Sequence, residues 1–228
     1  MNLEEVTNRL KANSNPNAVE GLARFGINTN KTLGVSVPNI RKIAKEAGVD
    51  HGLAQELWAS GIHESRLLAS MVDDPKQVTA TQMEKWVGDF DSWDVCDQCC
   101  SNLFDKTPHA YQKAQEWSTR EEEYVKRASF ALMAALAVHD KKAADSQFLG
   151  FLPMIEREST DERNFVKKAV NWALRQVGKR NLRLNKAALS AAKRVQKKDS
   201  KAARWIAADA IRELTSSAVQ KKLRKKAT

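Results

Sequence analysis

Apolar residues recur along this chain at intervals of three and four, and no long run alternates apolar with polar, so the pattern predicts helices and no sheet. Ala, Leu, Lys, Glu, Gln and Arg fill the periodic segments, while the few Gly and Pro fall between them. Helices are predicted over 1–13, 17–25, 38–46, 53–60, 64–71, 79–88, 92–104, 109–117, 120–138, 146–158, 162–177, 184–197, 201–214 and 218–226. Pro38 suits the first turn of its helix and Gly48 its end. From Ala128 to Val138 the chain is uncharged and apolar nearly all round, which predicts a central helix.

The predicted helices are similar in length and come in pairs. Short segments that open on a basic residue and continue into a mostly apolar helix recur at Arg66, Lys126-Arg127, Lys167-Lys168 and Arg204. Arg127 to Lys168 is about 41 positions and Lys168 to Arg204 about 36, within the range of HEAT-like repeats. The expected fold is therefore all-α, a HEAT-like repeat solenoid spanning 1–228 as one domain, with about 218–228 a frayed basic tail. In such a stack the same helix position from each repeat lines a concave face. Here that position is basic, so the expectation is a groove that follows a phosphate backbone without reading its sequence.

Charge sharpens this picture. The 228 residues carry a net +10, but from Asp161 onward there are 20 Lys and Arg against 5 Asp and Glu, which is +15, and the first 160 residues hold 18 against 23, which is −5. That asymmetry points to an anionic partner for the C-terminal part, most simply nucleic acid, and disfavours a protein-binding scaffold. A membrane surface would instead want exposed aromatic and Leu residues on an amphipathic basic helix. The start of the chain is polar and acidic, with no signal peptide, and the longest uncharged apolar run is too short for a bilayer, so a soluble cytoplasmic monomer is expected. Cys96, Cys99 and Cys100 are too close together for a disulfide framework, and His51, His63, His109 and His139 are scattered. They read as small buried residues, and no metal or cofactor is expected.

Three stretches carry candidate chemistry. On the helix from Asn164, one broad face is apolar, while Lys168, Trp172, Arg175 and Lys179 follow at i, i+4, i+7 and i+11, holding an indole in line with three cations. This is either a solvated basic face or a surface for a polyanion. On the helix from Ser92, Trp93 and Asp97 lie one turn apart, with Val95, Cys96 and Cys99 on the other side. The carboxylate there is either a salt-bridge partner or a reacting group. Arg127, the charge heading the apolar central helix, is either paired at a helix start or placed to hold a phosphate. Trp58 reads as core.

These stretches, Ser92-Trp93-Asp94-Val95-Cys96-Asp97, Lys126-Arg127-Ala128 and Lys168-Ala169-Val170-Asn171-Trp172-Ala173-Leu174-Arg175, resemble the AlkD-type DNA alkylation repair glycosylases, over roughly Val6 to Leu214. The resemblance implies a base excision repair glycosylase that hydrolyses the glycosidic bond of cationic N3- or N7-alkylated purines in double-stranded DNA, leaving the lesion stacked rather than flipped. It implies that Trp93, Asp97 and Trp172 surround the reacting nucleotide and that Arg127 and Arg175 hold phosphates; the basic stripe and the repeated basic position add Lys168, Lys179 and Arg204 as expected DNA contacts. Where well-studied members have two tryptophans, this chain has Ser92-Trp93, and where they have a tyrosine it has Phe25. The alternative is a non-catalytic HEAT-repeat protein that binds bent, branched or damaged DNA.

Overall fold

The computed structural model describes residues 1–227, with side chains through Lys225. Among the described residues there are fourteen α-helices, two 3₁₀ turns and no strand. The helices are α1 (Leu3–Ala12), α2 (Pro16–Ala23), α3 (Val37–Ala47), α4 (His51–Ala59), α5 (His63–Val72), α6 (Ala80–Gly88), α7 (Trp93–Asn102), α8 (Ala110–Glu116), α9 (Glu123–His139), α10 (Asp145–Glu158), α11 (Asn164–Gly178), α12 (Leu182–Gln196), α13 (Lys201–Leu214) and α14 (Ser217–Ala227). The all-α expectation holds, and the helix boundaries shift by a few residues. Two predicted helices end in 3₁₀ segments, Phe104–Lys106 after α7 and Trp117–Thr119 after α8.

Local chemistry explains many of the helix ends. Asn2 and Glu5 form a capping box at α1, and Asp50, Thr79, Asn181 and Ser200 each accept a backbone N–H at the start of α4, α6, α12 and α13. Pro38 lies in the first turn of α3, and Gly48, with φ 76°, ends it.

The chain divides into two compact units, Met1–His109 and Ala110–Thr228. In the first, α5 is the hub and packs against α3, α4 and α7, with α1 resting on α3. Its core includes Trp58 and Trp86, stacked with centroids 4.0 Å apart, and Phe90 and Phe104 tilted beside them. Trp58 is therefore core, its indole N–H tied to Asp89 Oδ2 at 2.9 Å. Cys96, Cys99 and Cys100 are buried on the inner face of α7, and burial pushes the Cys99 and Cys100 thiols well above the usual range. Among the described residues, no group of three or more His, Cys, Asp or Glu is arranged to hold a metal ion, and no helix is long and apolar enough to cross a membrane.

In the second unit α9, α11 and α13 pack in sequence as one layer, and α8, α10 and α12 back them as the other. As its composition predicts, α9 is central: Val125 through Ala137 are all buried. Polar contacts between successive pairs recur at a separation of 38 residues, from Arg127 to Phe165, Asn171 to Asp209 and Arg175 to Glu213. The sequence spacings of about 41 and 36 bracket this repeat. Gly178 ends α11 where a Cβ would come within 2.7 Å of Leu214 and 3.0 Å of Ala188, so the absence of a side chain lets α12 and α13 close on it. The segment expected to be a frayed tail is α14, which buries Leu223, and its Gln220 amide donates to the Leu214 carbonyl at 2.6 Å.

Candidate nucleic-acid interface

In the first unit, α7 carries Trp93 and Asp97 one turn apart. Both are half-buried, whereas Val95, Cys96, Cys99 and Cys100 on the opposite side are fully inside. The helix is amphipathic in the sense its sequence predicts, so the indole and the carboxylate share its outward side. Three contacts fix that side. The Trp93 indole N–H donates to the Phe25 carbonyl at 3.0 Å. Asp94, in the first turn of α7, accepts from His63 Nε2 at 2.9 Å, and its other oxygen accepts from the Val95 amide. Phe25 itself is 69% exposed.

The His63–Asp94 pair ties the start of α5 to the start of α7. Burial draws the His63 pKa down, but the hydrogen bond to Asp94 and the charges of Asp94, Glu64 and Asp91 outweigh it and leave the pKa raised. For Asp94, burial pushes up while the bond and charge of His63 hold the carboxyl below its usual range. Both shifts favour the charged pair. Neither residue was singled out by the sequence reading, because a contact across about 31 positions leaves no local periodicity.

A further buried carboxyl group organises the loop that leads into α3. Glu64, 1% exposed, accepts from the backbone N–H groups of Leu33, Gly34 and Val35, with the Gly34 bond at 2.7 Å. Gly34 adopts φ +76°, and a Cβ there would meet the Asn15 carbonyl oxygen at 2.2 Å.

In the second unit, the helix from Asn164 is α11. Of its predicted apolar face, Val166, Ala169, Val170, Ala173, Leu174 and Val177 are buried, while Phe165 in the first turn is half-buried. Lys168 is exposed, and Trp172, Arg175 and Lys179 are half-buried. The cations do not simply face water. Arg175 Nη1 pairs with Glu213 Oε2 at 2.5 Å and its Nε lies 3.6 Å from Asp209 Oδ2, while Lys179 Nζ donates to Glu213 Oε1 at 2.7 Å. Burial raises the Glu213 pKa, yet the bonds from Lys179 and Arg175 hold it below the ordinary carboxylate value. Asn171, buried beside them, donates to Asp209 at 2.7 Å. Glu213 and Asp209 are thus partners of the candidate site that local sequence pattern does not reveal, and the repeat offers the signal: each lies 38 positions after a polar residue of α11.

That seam continues to Lys167, whose ammonium lies 5.4 Å from the ring centroid of Trp205, again 38 positions on. Trp205 is 42% exposed, beside exposed Arg204, which pairs with Asp199 at 3.2 Å.

The basic positions at the helix heads do not share one environment, which corrects the expectation of a continuous basic lining. Lys168 and Arg204 are exposed, but Lys126 and Arg127 are 6% and 5% exposed. The reason is the central place of α9, which leaves no solvent face from Val125 to Ala137. Lys126 pairs with Glu158 at 2.9 Å, and Arg127 donates to the Phe165 carbonyl at 2.6 Å with its guanidinium 6.0 Å from the Phe165 ring. Of the two roles open to Arg127, the structure supplies partners for the first, a charge paired at a helix end. Arg66 donates to the Asp89 carbonyl and stacks over Trp58 at 5.4 Å.

The family described as DNA alkylation repair enzyme matches residues 6–214. A solved structure presented as "a new family of proteins related to the HEAT-like repeat DNA glycosylases with affinity for branched DNA structures" aligns with a TM-score of 0.78 at 21% identity, covering 93% of this chain and 95% of that one. At that identity the likeness carries the fold, HEAT-like helical repeats. A designed armadillo repeat protein bound to a (KR)4 peptide aligns with a TM-score of 0.37 at 14% identity, over 82% of this chain and 89% of that one. No curated protein sequence matches the chain.

Proposed function

The chain belongs to the DNA alkylation repair enzyme family, and from that premise we propose that it is a DNA glycosylase that hydrolyses the glycosidic bond of cationic N3- or N7-alkylated purines. The observation that carries this reading is the outward side of α7, where a carboxylate and an anchored indole stand one turn apart. An alkylated purine already bears positive charge, so it leaves as a neutral base when the C1′–N bond breaks and takes the electron pair with it. No general acid is needed. What remains is an electron-poor sugar, and the chemistry asks for a negative charge and an aromatic face near C1′.

Asp97 fits the first demand. It offsets the charge that develops on the sugar and can take a proton from the water that adds to C1′. Trp93, its N–H already committed to Phe25, offers the face of its ring rather than its polar edge. Trp172 offers a second indole, and Arg175, Lys168, Lys179 and Arg204 supply positive charge for phosphates. Arg127 serves this interface from behind, by holding the first turn of α11 at the Phe165 carbonyl. Such contacts read backbone and charge, and they leave the base itself unread.

The test is to incubate the protein with a duplex carrying a single N7-alkylguanine and to measure free base. Release above the spontaneous rate is expected. Tight binding to the duplex with no release would make the protein a shape-recognising DNA binder instead.

Glu213 gives this reading a second handle. A phosphate that reaches Arg175 or Lys179 has to displace this carboxylate, so Glu213→Gln is expected to strengthen binding to all duplexes alike. The dependence of log affinity on log salt should steepen by up to about two units, since two cations become available. Titrations at several salt concentrations check this, and an unchanged slope would mean that neither cation meets a phosphate.

A further inference from the structure

A second feature of the C-terminal unit begins at Lys179 and extends to the side of it occupied by α14. Where α14 passes the C-terminal ends of α9 and α11, a cleft of about 540 Å³ is lined by Lys141, Lys179, Arg180 and Lys222, with Gln176 and Asn181 between them. No Asp or Glu is among its lining residues. In a unit where most cations are matched to a carboxylate or a carbonyl, four positive side chains around one opening are unusual.

Two of the four are tethered. Arg180 donates to the Ala137 carbonyl at 2.8 Å and lies 3.8 Å from the ring centroid of Phe148, and Lys179 is held by Glu213. The Arg180 bond covers a carbonyl at the end of α9 that would otherwise repel an anion. Lys141 and Lys222 are different. Both are exposed, and among the described residues neither makes an ion pair. Lys222 is nonetheless held in place, because α14 docks through Leu223, 1% exposed, and through Gln220, which donates to the Leu214 carbonyl and to Asn185 Oδ1.

We infer that this cleft binds phosphodiester groups of a DNA strand, with Lys141 and Lys222 as the direct contacts and Lys179 and Arg180 as fixed background charge. The inference rests on the proposed DNA substrate and extends it: α14 is a docked element of the second unit that grips the DNA backbone. The space exceeds a single phosphate group, and amides from Gln176 and Asn181 can serve as neutral donors to the sugar–phosphate oxygens. Such a contact adds affinity without touching the chemistry.

The experiment uses the full-length chain with Lys141→Gln and Lys222→Gln combined, both at exposed positions, and thermal melting to verify that the fold is kept. Binding to an undamaged duplex is titrated across salt concentrations, and base release from an N7-alkylguanine duplex is measured at saturating protein. The double variant is expected to lose about two units of salt slope, so that raising salt from about 50 to about 200 mM weakens it roughly tenfold less than wild type. Release at saturation is expected to match wild type. An unchanged slope, with wild type binding normally, overturns the cleft while leaving the DNA reading intact. Failure of wild type to bind any duplex overturns both. A third arm titrates ATP and inorganic triphosphate: if these bind wild type more tightly than the duplex does and lose affinity in the double variant, the cleft takes a free polyphosphate and the strand assignment is wrong.

Discussion

Asp97→Asn is expected to lower single-turnover release of N7-alkylguanine by ~10²–10³, equivalent to about 3–4 kcal/mol of transition-state stabilisation, while leaving DNA affinity equal to or above that of wild type. The amide fills nearly the same space on α7, between the same half-buried neighbours, but it carries no charge to oppose the one that builds on the sugar. Affinity moves the other way because a negative charge leaves a surface that faces phosphates. The split between rate and binding is what separates a reacting carboxylate from a structural one. A salt-bridge partner would show its loss in melting temperature, with release per bound duplex unchanged, and that result would remove the mechanism. Trp93→Phe is a useful companion, since it keeps an aromatic face but gives up the bond to the Phe25 carbonyl.

The largest effect on stability is expected at Glu64, a residue with no place in the chemistry. Glu64→Ala leaves the backbone N–H groups of Leu33, Gly34 and Val35 without their acceptor in a buried setting. Each orphaned group costs about 1–3 kcal/mol, partly relieved by water entering the space, so a total of about 3–5 kcal/mol is expected. In a chain of this size that corresponds to a drop in melting temperature on the order of 10 °C. Glu64→Gln should recover more than half, because the Gly34 and Val35 N–H groups both meet Oε1, which an amide oxygen can replace, while the NH₂ group takes the place of the oxygen nearest the Leu33 N–H. Urea unfolding of the three proteins checks the ranking, and a loss below about 1 kcal/mol for Glu64→Ala would show that the loop is held by other means.

The sequence by itself determined the helices, because helix formation and amphipathicity are written at i, i+3 and i+4 and need no knowledge of distant partners. It therefore determined that Trp93 and Asp97 share the outward side of α7, that the three cysteines lie inside, that Trp58 is core and that α9 is central. Motif order carried the family, which the match over 6–214 shows. Tertiary structure alone decided which cations are available. Lys126 and Arg127 stand at the head of a helix packed on all sides, so desolvation commits them to Glu158 and to the Phe165 carbonyl. Arg175 and Lys179 look solvent-facing on a helical wheel, yet the next repeat brings Glu213 against them. The C-terminal run reads as a loose basic tail by charge, but one apolar residue, Leu223, finds a buried seat and docks it. For the four cations the deciding partner lies about 30 to 40 positions away. A local pattern can place a side chain on a face, but only the packing of successive repeats sets what that face meets, and with it whether a charge is offered to a partner or already satisfied.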